Sequence, residues 1–185
     1  MKGLTLTQPW SFAIAFCGKS VENRDWSDRI ADLNGLSSLT GELIAIHGGT
    51  APKRGNNKGW RSLCQSIADI HRRLDGELPE AAAAELARRA AGSPLDASHF
   101  ITPGIVAVAS LWGVTRASRS VWATEGDLHL MLSEVVALPQ PVQVRGAQGF
   151  WHVPSVVEEA VRAQLPQRRE QPAQWGHLDG GEWLA

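Results

Sequence analysis

The sequence lacks tyrosine, has two cysteines and contains no apolar run long enough to span a bilayer. The missing apolar run excludes a membrane-spanning chain and predicts no membrane partner. The first seven residues alternate like a strand and lack a signal-peptide core, so we expect a soluble, cytoplasmic protein. Cys17 and Cys64 form no metal-binding spacing, which predicts reduced structural thiols, no metal site and no cofactor.

Excess charge of either sign is also missing, because the net charge is −1 at pH 7. Binding to nucleic acid would therefore have to come from a local basic patch. Eight tryptophans are present, more large rings than one small core usually needs, which indicates that some face a groove. The oligomeric state is left open by these features.

The length of 185 residues allows one domain with a real core. We assign residues 1–165 to that domain, with a helical insertion at about 57–98, and residues 166–185 to a polar C-terminal tail. Strands are predicted at 3–7, 19–26, 41–47, 104–114 and 128–138, with a closing pair at 140–145 and 148–153. Residues 130–135 are also compatible with a helix, and Pro139 and Pro141 are expected to end the segment. Helices are predicted at 10–17, 60–74 and 79–91 and from Ser155, and residues 25–40 are expected to form a loop.

The most informative stretch is 18–26, where a lysine, a glutamate, an arginine and a tryptophan follow one glycine. Strand alternation places Glu22, Arg24 and Trp26 on one face, and Lys19 lies at the turn into the strand. An ammonium, a carboxylate, a guanidinium and a flat ring can together hold a polar planar ligand such as a nucleobase. The alternative is an ordinary Glu–Arg pair on a surface strand.

Lys19 itself allows two interpretations. Next to a tryptophan and an arginine, a lysine can have a lowered pKa and act as a base or nucleophile. An ion pair with Glu22 would instead keep the amine charged and inert. Both remain open at this point, and Lys19 and Glu22 are the catalytic candidates only if the protein is an enzyme.

His47 ends a predicted buried strand, and the loop after it is basic, with Lys53, Arg54 and Lys58 and no acidic residue. His47 is either a structural residue or a ligand contact. Basic residues with Trp60 nearby suit single-stranded nucleic acid, since cations meet phosphates and rings stack on bases. A solvated surface loop is the alternative. Asp127 and His129 are expected on one face of a strand, but no nucleophile in the sequence completes a triad with them.

Several of these segments resemble one family. Gln8-Pro9-Trp10 followed by Lys19-x-x-Glu22-x-Arg24 is similar to the signature of ASCH domains, a branch of the PUA-like barrels. The segments 41–47, 103–109 and 144–151 resemble further strands and the closing hairpin of that family. The resemblance leaves out residues 56–98 and the tail.

This resemblance implies an α+β fold, a mixed PUA-like β-barrel with flanking helices and a helical insertion. It also implies a cleft lined by the lysine, glutamate and arginine, with RNA or another nucleic acid as ligand. Some small relatives hydrolyse the amide of N4-acetylcytidine with a lysine, a threonine three residues later and a glutamate on another strand. Here Glu22 occupies the threonine position, so the chain departs from the hydrolase pattern.

The sequence therefore predicts binding of RNA, single-stranded DNA or a modified nucleoside in a cleft lined by Lys, Glu, Arg and Trp. Glu22 and Arg24 would hydrogen-bond the base or a phosphate, and Trp10 or Trp26 would stack on the base. Lys19 would neutralise phosphate, His47 would lie nearby, and Lys53, Arg54 and Lys58 would follow the backbone. The alternative is a small hydrolase, either an amidohydrolase or a ribonuclease.

Overall fold

The computed structural model describes residues 1–166, so the tail predicted at 166–185 lies outside the described residues apart from Pro166. This part of the chain is α+β, with one curled, mixed sheet and several helices. The strands described are β1 Lys2–Leu6, β2 Val21–Arg24, β3 Leu43–Gly48, β4 Gly104–Thr115, β5 Leu128–Val142 and β6 Phe150–His152. The helices are α1 Trp10–Phe16, α2 Asp28–Leu33, α3 Leu36–Leu39, α4 Asn57–Arg73, α5 Glu80–Ala90 and α6 Ser155–Arg162, with a 3-10 helix at Ala97–Phe100.

The strand order across the sheet is β2-β5-β4-β3-β1-β6. The β1–β3 pair is parallel, and every other pairing among the described strands is antiparallel. The sheet curls into a half-barrel, so β2 and β6 remain as its two edges. The expected α+β class with a curled mixed sheet is confirmed, whereas the barrel is open rather than closed.

The hydrophobic core has three parts, because the half-barrel is covered on more than one side. One cluster fills its hollow, with Leu4, Ile46 and Leu130 among its members. A second lies between α1 and the helices that follow β3, and includes Phe12 and Leu86. A third packs α6 against the opposite face of the sheet, where Ala45 and Val108 alternate with members of the first cluster. The helices α4 and α5 lie between β3 and β4, within the region predicted as an insertion, and contribute to the second cluster.

The turn from α1 into β2 positions the residues of the predicted site. Gly18 has a φ of +70°, a conformation that residues with a Cβ rarely adopt. The Lys19 backbone N–H then donates back to the Ala13 carbonyl at 3.1 Å. The lysine side chain is thereby held at the base of the first helix, beside the start of β2.

Two local predictions were wrong. Residues 25–40 are not a loop but contain α2 and α3, and the Ser27 hydroxyl caps α2 by accepting from the Ile30 N–H. The prolines at 139 and 141 do not end the fifth strand, which continues to Val142. The β4–β5 register jumps from Ala107↔Ala137 to Ile105↔Val142, so Pro139 and Pro141 lie in a bulge, a position where strands tolerate proline.

The predicted closing hairpin was also wrong. Residues 140–142 belong to β5, while β6 pairs with β1, from Lys2↔His152 to Leu4↔Phe150. The segment between them, residues 143–149, therefore crosses from one side of the sheet to the other.

No helix within residues 1–166 has the length and apolar character needed to cross a bilayer.

Candidate functional site

Two adjoining cavities lie where β1 ends and β2 begins. The first, here called the small pocket, has a volume of about 310 Å³, and its walls include Trp10, Lys19, Glu22, Arg24 and Asp127. The second, the large cleft, has about 640 Å³ and lies between the start of α4 and the loop 146–149. Thr5, Thr7 and Arg24 line both cavities.

Three charged side chains form a chain of ion pairs along the floor of the small pocket. Lys19 Nζ lies 2.8 Å from one carboxylate oxygen of Glu22, and Arg24 Nη2 lies 3.3 Å from the other. Lys19 is only 2% exposed and also donates to the Val21 carbonyl. Burial lowers the pKa of Lys19 below its ordinary value, and the nearby Glu22 offsets part of that effect.

The two candidate tryptophans have different positions. The Trp10 ring lines the small pocket, with its centroid 5.6 Å from Lys19 Nζ. The β2 strand ends at Arg24, so Trp26 lies beyond it, with its ring 5.4 Å from the Arg24 guanidinium. Trp26 packs edge-on against Phe150 and the core, and it lines neither cavity. Trp10 is therefore the ring available to a ligand in the small pocket.

Arg24 connects the edge strand β2 with β1 across the mouth of the half-barrel. Its Nη2 donates to the Thr5 carbonyl at 3.0 Å. Its Nε is buried and has no hydrogen-bond partner within residues 1–166. Buried polar groups without a partner are uncommon. This donor, on a side chain that lines both cavities, is thus suited to a ligand.

The opposite wall of the small pocket is a loop, residues 118–127, held in place by side chains from two strands. Asn23 on β2 donates to the Trp122 carbonyl at 2.8 Å and accepts from the Thr124 N–H at 3.0 Å. His129 on β5 accepts from the Ser118 N–H at 3.3 Å and donates to the Thr124 carbonyl at 2.8 Å. The protein's own side chains therefore hold this wall in place.

These contacts also decide the roles of Asp127 and His129. Both ring nitrogens of His129 are used by loop backbone, so His129 is a structural residue and not part of a triad. Asp127 lies one residue before β5 and lines the small pocket. Its carboxylate makes no hydrogen bond or ion pair with any residue in the described part of the chain.

His47 lies behind the wall of the large cleft and lines neither cavity. Its Nε2 is 3.1 Å from the Val144 carbonyl, and its ring is edge-on to Trp151 at 5.6 Å. Gly146 lines the large cleft and lies between the cleft and the His47 ring. A Cβ at Gly146 would lie 2.6 Å from His47 Nδ1. Burial lowers the pKa of His47 below its ordinary value.

The basic residues after β3 are close in sequence to residues of the large cleft. Lys53, Arg54 and Lys58 are exposed, and they lie within two positions of Pro52, Asn56 and Gly59, which line the cleft. These three cations are here called the rim of the large cleft. The predicted loop ends earlier than expected, because α4 begins at Asn57. Trp60 and Arg61 face a separate shallow surface on α4.

Sequence reasoning missed three parts of this site: Asp127 as a lining residue, Asn23 as the residue that holds the 118–127 loop, and the loop 146–149. The Lys-x-x-Glu-x-Arg spacing predicted the floor of the pocket, but no short-range signal marks walls that come from distant segments.

Residues 1–166 contain no cluster of three or more His, Cys, Asp or Glu side chains that could hold a metal ion.

No family model matches the chain, and a search of the curated proteins returned no match. The geometry of the two cavities therefore carries the functional argument. Two cations and two carboxylates line the small pocket, so its formal charge is balanced. The large cleft has a single charged lining residue within the described chain, Arg24, and a basic rim. A neutral polar ring suits the first cavity and an anion suits the second.

Proposed function

We propose that this chain is an ASCH-type, PUA-like domain that binds a single-stranded nucleic acid, RNA or DNA. One base enters the small pocket, and the neighbouring phosphates lie in the large cleft. The observation that carries this proposal is the pairing of a charge-balanced pocket with an adjoining cationic cleft, joined by Arg24. The Lys19-x-x-Glu22-x-Arg24 resemblance supports it, since these three side chains line one pocket.

The small pocket has the features that a single base requires. Trp10 offers a flat ring for stacking, an interaction worth about 1–3 kcal/mol per base. Lys19 and Arg24 supply donors, while Glu22 keeps both cations in position through its two oxygens. A phosphate is less suitable there, because the two carboxylates would repel it.

The large cleft supports the phosphate part of the proposal. Arg24 lines this cleft, and Lys53, Arg54 and Lys58 provide three exposed cations at the rim. Arginine and lysine contacts to phosphates position a strand without reading its sequence. This division predicts that affinity depends on salt through the rim and on the base through the small pocket.

The test is a titration of the pure protein with a single-stranded decamer, the matching duplex and free nucleosides, at several salt concentrations. With about three phosphates neutralised, the log of the affinity for the single strand should fall with log salt with a slope of about −2. The duplex and the free nucleosides should bind more weakly. Absence of single-strand binding at low salt contradicts the proposal.

The rim is tested by replacing Lys53, Arg54 and Lys58 together with alanine, which should flatten the salt slope. The matched control removes three exposed arginines on helices outside the large cleft, Arg72, Arg88 and Arg162. Both triple variants lose the same charge, and surface ion pairs contribute little to stability, about 0–1 kcal/mol each. Equal slopes for the two variants would show that net charge, not the rim, carries the salt dependence.

A second candidate is hydrolysis, because burial lowers the pKa of Lys19 and so favours a neutral, reactive amine. The substrate would be the amide of an N4-acylated cytidine or, for a ribonuclease, a phosphodiester. Against it, Lys19 is held by Glu22 and by the Val21 carbonyl. We expect no cytidine release from N4-acetylcytidine; steady turnover that Lys19→Ala abolishes would reverse this ranking.

A further inference from the structure

Asp127 is the unused acceptor of the small pocket. Glu22, the other carboxylate there, is bound by Lys19 on one oxygen and by Arg24 on the other. Asp127 is half-buried, lines the same cavity and has no hydrogen-bond or ion-pair partner within residues 1–166. A carboxylate in a wall held by the protein's own side chains, with no donor to accept from, is suited to a donor on the ligand.

The donors in the pocket complete the pattern. Lys19 has three N–H bonds, of which two are directed to Val21 and Glu22, and Arg24 keeps an unpartnered buried Nε. The pocket therefore offers one free acceptor, Asp127, and free donors from the two cations. Its complement is a planar edge with an amino group next to a ring nitrogen that accepts.

We propose that Asp127 selects bases whose Watson–Crick edge carries an exocyclic amino group beside an acceptor ring nitrogen, which are adenine and cytosine. On that edge guanine has an N–H beside its amino group, and this donor would face the donors of Lys19 and Arg24. This inference rests on the proposed function and names the class of base that the small pocket takes. The amino group donates to the Asp127 carboxylate, and the ring nitrogen accepts from Lys19 or Arg24. Uracil and hypoxanthine place a carbonyl oxygen where the amino group would be, so two acceptors face each other.

The contacts that hold the 118–127 loop explain why the Asp127 side chain can discriminate among bases. Asn23 and His129 hold the loop at Trp122, Thr124 and Ser118, so Asp127 cannot readily move away from a carbonyl. The register Arg24↔Leu128 fixes the Asp127 backbone beside the end of β2. A fixed acceptor rejects the wrong base because the mismatched pair leaves its own carboxylate unsatisfied.

The test uses RNA decamers of uridine with one central adenosine, inosine or cytidine, and the all-uridine decamer. The wild-type protein should bind the adenosine decamer about tenfold more tightly than the inosine decamer, and the cytidine decamer about tenfold more tightly than all-uridine. Asp127→Asn should reduce both ratios to less than about threefold, since an amide can donate to the carbonyl. Asp127→Ala should also reduce both affinity ratios to less than about threefold, which would show that the loss of the carboxylate, and not the new amide, causes the change.

Glu125→Gln is the matched control, because Glu125 is an exposed acid on the same loop and does not line the pocket. It should leave both ratios at the wild-type value. Ratios that Asp127→Asn leaves unchanged, or decamers that all bind equally well to the wild type, overturn this inference while the proposed function stands. Absence of binding to every decamer at low salt overturns the proposed function itself.

Discussion

The small pocket and the large cleft adjoin each other, yet they are built from different kinds of groups. The small pocket is lined by charged and polar side chains that are tied to one another and to a held loop. The large cleft is lined mostly by uncharged loop residues, including Gly49, Gly146 and Gly149, with Arg24 as its one charged residue in the described chain. Fixed charged side chains suit discrimination among bases, whereas uncharged walls with a basic rim suit a uniform phosphate chain.

The largest loss of stability from a single substitution is expected in the small pocket. Glu22→Gln leaves two cations, Lys19 and Arg24, without their shared carboxylate in a buried site. Removing one partner of a buried ion pair typically lowers the free energy of unfolding by about 3–5 kcal/mol. Because Arg24 is partly solvated, we expect the lower end, about 3 kcal/mol, measured by urea denaturation.

The double variant Lys19→Met with Glu22→Leu is the control for this effect. It removes both members of the buried pair, and apolar replacements of such pairs are often neutral for stability. The double variant should therefore unfold at a higher urea concentration than Glu22→Gln, yet lose binding to a single strand. A loss below about 1 kcal/mol for Glu22→Gln would show that the pair is solvated and not a rigid floor.

In the large cleft, the comparable change is Gly146→Ala. The added Cβ would meet the His47 ring and the Thr5 hydroxyl, so the 146–149 loop must move. Overpacking of this kind costs about 1–3 kcal/mol, and the moved loop should also weaken single-strand binding. Gly113→Ala on β4 is the matched control, because its nearest contacts would be ordinary ones at 3.9 Å. Equal stability of the two variants would mean that the loop is not packed on His47.

The smallest expected effect is a pH dependence from His47. Its pKa is lowered by burial, so between that pKa and the unfolded value of about 6.5 the unfolded state binds more protons. The free energy of unfolding should therefore fall as the pH falls below about 6.5, by less than about 1.4 kcal/mol per pH unit from this one group.

His47→Gln should remove this part of the acid destabilisation between pH 7 and pH 5, measured as the difference from wild type in urea denaturation. His152→Gln, which removes an exposed imidazole from β6, controls for the loss of a histidine as such. The prediction is wrong if the His47→Gln protein loses as much stability as the wild type over this range.

Much of the fold could be predicted from the sequence because its strongest signals are local. The apolar runs of β3 and β4 and the helical spacing of α4 and α5 stand out without any knowledge of their partners. The alternation of Glu22 and Arg24 likewise placed both on one face of β2. What depends on local periodicity was therefore predictable, including the floor of the small pocket.

The parts that could not be predicted depend on pairing between distant segments. Asp127 reaches the pocket because β2 pairs with β5 in the register Arg24↔Leu128. Similarly, β6 pairs with β1, which is distant in sequence, and not with β5, which precedes it in the chain. The prolines at 139 and 141 look like strand breakers until the bulge in the β4–β5 register is known. Trp26 looks like a groove residue until the core cluster that covers it is known.

The central claim, that a base enters the small pocket, is tested most directly by NMR titration of the ¹⁵N-labelled protein with an adenosine-containing single strand. The indole N–H of Trp10, assigned with Trp10→Phe, and the Arg24 Nε–H should shift and saturate together. The indole of Trp112 on β4, which is 56% exposed and lines neither cavity, should stay in place. Saturable shifts at Trp112 with none at Trp10 and Arg24 would contradict the account.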